Sequence, residues 1–168
     1  HELVIPNLEV LSIYKNKIME WMNENIRAIS RDDLFNAMLK GETETFEDIL
    51  FDWLQRSISY YDTKENFYHG FLLGLLSGFD NYSVKSNRET GNGRSDIFVL
   101  ENRRRKLAIV IEIKVASKFN DMDTKCDEAL KQIEDKNYEA ELKNDGYQKV
   151  MKYGVAFYDK SCKVKIEE

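Results

Sequence analysis

Apolar residues recur at intervals of three and four positions over roughly the first 79 residues of the chain. This spacing places them on one face of a helix, and it predicts four helices. The first begins after Asn7, the second runs from Ser30 to Gly41, the third centres on Trp53 and the fourth runs from Asp62 to Gly78. Much of the fourth helix is apolar on all sides, which predicts a central, buried helix.

An alternation of apolar and polar residues replaces the helical spacing from Tyr82 onward. It predicts strands at 82–88, 95–100 and 106–116, an amphipathic helix at 123–142, and final strands at 149–158 and 162–166. The polar segment 101–105 joins the second and third strands, most simply as a hairpin. After the first three helices, the element order is therefore α-β-β-β-α-β-β, which is typical of an α/β fold.

The chain has 168 residues, of which 42% are apolar, and this size and hydrophobic content suit one compact domain. We predict an N-terminal helical segment at 1–60 that packs as one unit with a core at 61–168. The chain begins with His1 instead of Met, which we interpret as the mark of a C-terminal fragment of a longer protein.

The cysteine, histidine and apolar content excludes several classes of protein. Cys126 and Cys162 form no C-x-x-C pattern, so a reducing, cytoplasmic location is expected and a disulfide scaffold is not. The two histidines exclude a histidine-rich metal site. The longest strongly apolar stretch, Phe71 to Leu76, is far shorter than the roughly 20 residues that cross a bilayer. We therefore expect no membrane association.

The strand predicted at 106–116 carries two charged residues among aliphatic ones. Glu112 and Lys114 are two positions apart, so their side chains point to the same face of the sheet. A charged pair in such a strand costs several kcal/mol of desolvation unless another interaction offsets it. Either the strand end is exposed and the two ions solvate or pair with each other, or the pair belongs to a catalytic site.

Asp96 favours the catalytic interpretation, although it is also a plausible turn or capping residue. It opens the strand before Glu112, and an antiparallel hairpin brings the start of one strand beside the end of the next. Two neighbouring carboxylates repel each other unless a proton or a divalent cation lies between them. Oxygen ligands without histidine or thiolate favour Mg²⁺ or Mn²⁺. Lys114 adds a positive charge where a phosphate would develop negative charge.

The arrangement Asp96…Glu112-Ile113-Lys114, within an α-β-β-β-α-β order, resembles the PD-(D/E)xK nuclease superfamily. More narrowly, the chain is similar to the nuclease domain that lies C-terminal to an AAA-ATPase-like domain in many bacterial proteins. The segments that carry this similarity are 5–10, 67–72, 86–91, 93–96, Gln132-Ile133 with Tyr138, and 153–157.

The resemblance implies a restriction-endonuclease-like α/β core with a mixed sheet, preceded by the N-terminal helical segment. It implies an endonuclease that depends on Mg²⁺ or Mn²⁺ and hydrolyses phosphodiester bonds, with DNA as the favoured substrate. An upstream ATPase-like domain would be a partner, and double-strand cutting by a single-site enzyme would favour a homodimer. The alternative is an inactive nuclease-like module that binds nucleic acid or docks to the upstream domain.

The resemblance also implies roles for individual residues of the third strand and its neighbour. Asp96 and Glu112 would be metal ligands, with the carbonyl of Ile113 as a third. Lys114 would position or activate the attacking water and stabilise charge on the phosphate. The proline that names the motif is replaced by Ser95, which contributes shape and not a ligand.

Two residues on helices are added to the site by the resemblance. Glu65 matches an N-terminal acidic residue that binds the metal directly or through water, although it could instead close a capping box with Asp62. Gln132 matches a glutamine that supports the site, and without the resemblance it would be interpreted as a surface residue. Tyr138 packs behind Gln132 or fills the core. His69 lies one turn beyond Glu65 and is more often a hydrogen-bonded structural residue.

Basic residues are concentrated between Lys85 and Lys118, a segment that contains nine basic and four acidic residues. The whole chain, by contrast, has a net charge of -5. Contacts with phosphate require such a concentration. Arg88 and Arg94 are nearest to the predicted site, so we expect them to bind nucleic acid. The run 103–106 is either a further DNA contact or an exposed hairpin tip whose charge discourages aggregation.

Overall fold

The computed structural model of the protein describes residues 31–57, 64–88 and 95–167, without the side chains at 57, 87, 88, 95 and 96. The helix predicted after Asn7 lies outside these residues. The chain from Arg31 to Glu168 forms one compact unit. The division into segments 1–60 and 61–168 stays a prediction.

The described helices precede the sheet or lie between its strands. They are α1 (Arg31–Lys40), α2 (Thr43–Ser57), α3 (Glu65–Leu76), α4 (Met122–Asp135) and α5 (Tyr138–Asn144), with a short 3₁₀ turn at Phe119–Asp121. None of them combines the length and the apolar composition that crossing a membrane requires.

Within the described residues, five strands form a single mixed sheet in the order β1-β2-β3-β4-β5. They are β1 (Tyr82–Arg88), β2 (Ser95–Glu101), β3 (Leu107–Val115), β4 (Lys149–Tyr158) and β5 (Ser161–Glu167). Among these described strands, β3 and β4 pair in parallel and are connected by α4 and α5, whereas the other neighbours are antiparallel. The predicted strands and the hairpin between β2 and β3 are confirmed.

Helices cover both faces of the sheet. On one face, the hydroxyl of Tyr153 in β4 donates a hydrogen bond to the carbonyl of Met38 in α1 (2.6 Å), and the ring of Tyr68 in α3 stacks on Phe157 at 4.4 Å. On the other face, α4 and α5 bury a cluster against β3 and β4. Its members are Ala108, Val110, Ile133, Tyr138, Leu142 and Val150. The sheet is therefore the middle layer of an α/β/α arrangement.

Gly154 in β4 determines how closely α4 approaches the sheet. A Cβ atom at this position would lie 2.4 Å from the backbone oxygen of Cys126 in α4. Only glycine permits this approach. Because Gly154 pairs with Glu112 in the parallel register, the helix passes directly over the strand that carries the candidate chemistry.

Two sequence predictions about helices are wrong. The helix predicted at 123–142 is divided into α4 and α5 at Asn137, which adopts a left-handed conformation with φ of 55°. Asparagine tolerates this conformation better than most residues, so the helix can end and restart there. Helix α3 is not buried on all sides, since Gly70 and Gly74 are exposed.

Candidate active site

Glu112, Lys114 and Gln132 form a compact hydrogen-bonded cluster between β3 and α4. The Lys114 Nζ atom donates to Glu112 Oε1 at 2.5 Å and to Gln132 Oε1 at 2.7 Å. The Gln132 Nε2 atom donates to the same Glu112 oxygen at 2.6 Å. Each of the three side chains therefore holds the other two in place.

The two oxygen atoms of Glu112 have different environments. The Glu112 side chain is only 1% exposed, and its Oε1 accepts both hydrogen bonds of the cluster. Its Oε2 is buried and has no hydrogen-bond partner among the described residues. A buried polar atom without a partner costs about 1–3 kcal/mol, and more when it carries charge. A divalent cation bound at Oε2 would remove this cost, so the carboxylate fits the role of a metal ligand.

The position of the cluster follows from the alternation of side chains along β3. Glu112 and Lys114 lie on the α4 face, and their pairing partners in β4 are Gly154 and Ala156. These small residues leave room above the sheet for the two long side chains and for α4. The helix then places Gln132, which is 20 residues from Glu112 in sequence, against both of them.

Asp96 occupies the neighbouring strand at the same end of the sheet. The ladder between β2 and β3 ends at the pair Ile97 and Ile111, and Asp96 and Glu112 are the next residues on their strands. The backbone of Asp96 pairs with Asn87 in β1. The strand arrangement needed for the predicted metal site is present, while the role of Asp96 as a ligand stays a prediction.

Glu65 is not brought into the cluster. It is the first residue of α3, which packs on the face of the sheet opposite to α4, and no described hydrogen bond or ion pair joins it to Glu112. The N-cap of α3 is Lys64, so the interpretation of Glu65 as the return residue of a capping box with Asp62 is wrong. Its role as a metal ligand stays a prediction.

His69 and Tyr138 have structural contacts. His69 is buried, and its Nε2 lies 3.2 Å from the hydroxyl of Ser86 in β1. The ring of Tyr138 packs edge-on against Phe98 at 5.0 Å between centroids. These contacts support the interpretation of both residues as parts of the folded framework.

The remaining predicted residues differ in how far the structure describes them. The side chain of Ile113 is buried on the face opposite to Glu112, which leaves its carbonyl as the only group that could reach a cation. The side chain of Arg88 and the whole of Arg94 lie outside the described residues. The positioning role of Gly154 was not predicted, and a single glycine within an aliphatic strand was the available signal.

Other ionisable groups near α4 do not form a second centre. Among the described side chains, no three His, Cys, Asp or Glu residues are close enough to hold a metal ion. Burial raises the pKa of the Cys126 thiol to about 11, and burial also raises the pKa of Cys162. Both thiols therefore stay protonated at neutral pH and are poor nucleophiles.

Comparison with known proteins agrees with the fold. A family model described as the PD-(D/E)XK nuclease superfamily matches residues 63–167. Searches of curated proteins and of solved structures give no significant match. The matched range contains the five-stranded mixed sheet and the Glu112 cluster, in agreement with a restriction-endonuclease-like architecture. The chain therefore belongs to the PD-(D/E)XK nuclease superfamily.

Proposed function

We propose that the protein is a metal-dependent nuclease that hydrolyses phosphodiester bonds, with DNA as its preferred substrate. The observation that carries this proposal is the state of Glu112. One oxygen of its carboxylate is held by Lys114 and Gln132, while the other is buried without a partner among the described residues. A purely structural ion pair would gain nothing from leaving that second oxygen unsatisfied.

Glu112 and Asp96 are the residues that would hold Mg²⁺ or Mn²⁺, together with the carbonyl of Ile113 and with Glu65 directly or through water. When bound, the ion supplies Lewis-acid stabilisation of phosphate charge and lowers the pKa of water. An oxygen-only ligand set suits these hard ions.

Lys114 and Gln132 act through position and charge. The ammonium of Lys114 lies against the Glu112 carboxylate and orients the attacking water while it stabilises negative charge that develops on the phosphate. Gln132 fixes the orientation of Glu112 and Lys114 at once, because it donates to Glu112 Oε1 and accepts from Lys114, and Oε2 of the carboxylate takes no part in these bonds. Gln132 would therefore act as a positioning residue, which holds the metal ligand and the lysine in the orientation that catalysis requires.

Cleavage of supercoiled plasmid tests the proposal. Wild-type protein is expected to nick or cut the plasmid in Mg²⁺ or Mn²⁺ and to stop when EDTA is added. Lys114→Ala and Asp96→Ala are expected to lower the rate by at least ~10²-fold, as loss of one charge-stabilising group does in other enzymes. Lys131→Ala, at an exposed position next to Gln132, is the matched control and should cleave normally.

The alternative function makes a different prediction in the same assay. Wild-type protein that binds DNA but cleaves neither plasmid nor oligonucleotide in either metal would be a nuclease-like binding module. Three further parts of the proposal have separate grounds. The resemblance described above supports an upstream ATPase-like domain, and the cysteine pattern supports a cytoplasmic location. A homodimer would let a single-site enzyme cut both strands. Light scattering of the purified chain measures its oligomeric state directly.

A further inference from the structure

A groove lies on the same face of the sheet as Glu112, between the β1–β2 edge and α5. Its volume is about 300 Å³. The residues that line it are Lys85, Ser86, Phe98, Leu100, Tyr138, Glu141, Leu142 and Asp145. The groove is separate from the Glu112 cluster, and none of the predicted catalytic residues lines it.

One end of the groove adjoins the candidate active site. Lys85 of β1 pairs with Phe98 of β2, and two residues further along the same strands Asn87 pairs with Asp96. Two residues of a strand span about 7 Å. A strand of nucleic acid that leaves the site along this face therefore enters the groove directly.

The other end of the groove adjoins the hairpin of residues 102–106. Arg105, with a positive φ of 49°, donates a hydrogen bond from Nη1 to the carbonyl of Asp145, which lines the groove. Its guanidinium lies over the ring of Tyr147 at 6.0 Å, and its carbonyl accepts a hydrogen bond from the Gln148 amide at 3.0 Å. The base of the hairpin is therefore held in a defined position at the end of the groove.

The hairpin presents several exposed cations, and the carboxylate of Glu101 at its base accepts a hydrogen bond from the Lys106 backbone amide at 2.8 Å. Arg103, Arg104 and Lys106 are exposed, and none of their side chains forms an ion pair with a described residue. By contrast, Lys152 lies 3.5–3.6 Å from three glutamates, and Lys165 lies 2.7–2.8 Å from two aspartates. In an acidic chain, this cationic hairpin is a surface suited to phosphate groups.

We propose that the groove and the hairpin bind a single-stranded segment of the nucleic-acid substrate that leads away from the cleavage site. This inference rests on the proposed function and adds a substrate class to it. Glu112 lies six positions after Lys106 along an extended chain, a distance of about 20 Å, so the segment contacts protein well beyond the cleaved bond.

The lining of the groove matches an unpaired strand better than a duplex. Phe98 and Leu100 are partly buried and provide an aromatic and aliphatic surface on which bases pack. The carboxylates of Glu141 and Asp145 accept hydrogen bonds from the amino groups of bases, as acidic residues do for cytosine. A cavity of about 300 Å³ admits a base but not a double helix. Phosphates then lie toward Lys85 and the hairpin.

Fluorescence anisotropy with labelled DNA tests the inference, in EDTA so that no cleavage occurs. The probes are a 12-nucleotide single strand and a blunt 12-base-pair duplex. Wild-type protein is expected to bind the single strand more tightly than the duplex. The variant Arg103→Glu/Arg104→Glu should bind the single strand at least tenfold more weakly. The slope of log K against log salt concentration should be shallower by about 1.4, because two phosphate contacts are lost.

A matched control separates local from overall charge. Lys40→Glu/Arg56→Glu changes the net charge by the same amount on α1 and α2, which cover the other face of the sheet. Its dissociation constant for the single strand should be within twofold of the wild-type value. Lys85→Glu tests the groove itself, and it should also weaken binding of the single strand. Circular dichroism melting confirms that each variant is folded.

Three results would overturn the inference: equal weakening by both double variants, tighter binding of the duplex, or no binding of the single strand. The plasmid assay separates this inference from the proposed function. Plasmid cleavage by wild-type protein, with unchanged oligonucleotide binding by the hairpin variant, rejects the single-strand path and retains the nuclease. Hairpin-dependent binding without cleavage in either metal rejects the nuclease and retains the binding of a single strand by the groove and the hairpin.

Discussion

At the scale of single residues, the proposed chemistry depends on one buried carboxylate. Glu112 is surrounded by aliphatic strand residues, and its charge is tolerated because Lys114 and Gln132 both donate to Oε1. Neither contact satisfies Oε2. A buried ion pair of this kind adds little to stability by itself, so its cost is better explained by function than by folding.

Removal of the Gln132 side chain should impair both the stability and the activity of the protein. Gln132→Ala deletes one hydrogen bond to buried Glu112 and one from Lys114, so the free energy of unfolding should fall by about 1–3 kcal/mol. Cleavage should fall by about 10–100-fold, as it does when groups that orient metal ligands are lost. Urea denaturation and the plasmid assay measure the two effects, with Lys131→Ala as control. A variant with normal stability and activity would contradict the positioning role.

Metal binding should stabilise the folded protein through Glu112. A ligand that binds only the folded state at about 100 times its dissociation constant adds about 2.7 kcal/mol to the free energy of unfolding. Urea denaturation with and without Mn²⁺ should show this increase for wild type and for Glu44→Ala, an exposed position on α2. Glu112→Ala should show none. An equal increase in all three proteins would place the metal elsewhere.

At the scale of secondary-structure elements, the site exists because α4 lies close to β3 and β4. Helix α4 is held against β4 by the contact at Gly154 and against β5 by Lys165, whose Nζ atom donates to Asp123 at 2.8 Å and to Asp127 at 2.7 Å. Both contacts connect residues distant in sequence. They determine whether Gln132 reaches the cluster on β3.

Gly154→Ala should lower both the stability and the cleavage activity of the protein. The added Cβ atom would meet the Cys126 carbonyl at 2.4 Å, and backbone atoms cannot move aside as a flexible side chain does. We expect a loss of about 1–3 kcal/mol in the free energy of unfolding and a lower cleavage rate, since α4 must shift. Gly70→Ala is the control, because it lies in α3 with no atom within 4 Å of its added Cβ and should be neutral or stabilising. Similar stability of the two variants would disprove the argument.

The contact between α4 and β5 should weaken in acid. A hydrogen bond from Lys165 lowers the pKa of Asp123 below its ordinary value of 3.8. Its contribution to stability is therefore present at neutral pH and is lost as the pH falls below about 3.8, through the pKa of the folded state. Wild type should lose more stability between pH 7 and pH 3 than Asp123→Asn does, as measured by urea denaturation. Equal losses would show that this pair does not contribute.

At the scale of the whole molecule, charge is distributed unevenly over an acidic chain. Ion pairs join several lysines to carboxylates on α4, α5 and β5, whereas the hairpin between β2 and β3 keeps exposed cations. The candidate active site, the groove and the hairpin share one face of the sheet. In the proposed function this arrangement would direct a polyanion to that face, while the net charge of -5 would oppose nonspecific binding elsewhere.

Local patterns in the sequence determined the strands, most of the helices and the position of Glu112 and Lys114 on one face of β3. Such features depend on the periodicity of side chains within a single element, which neighbouring residues reveal. The hairpin also followed from local sequence, because a short polar segment between two strands allows few other connections.

Contacts between distant elements were decided only by the tertiary structure. Periodicity does not encode how the layers of the fold pack against each other. This packing decides the hydrogen bonds of Gln132, the requirement for glycine at 154 and the placement of Glu65 on a helix of the opposite layer. The break at Asn137 has the same origin, because both α4 and α5 must turn buried residues toward the sheet. The sequence determined which groups are available for chemistry, and packing decided which of them meet, because their contact depends on the spacing between layers.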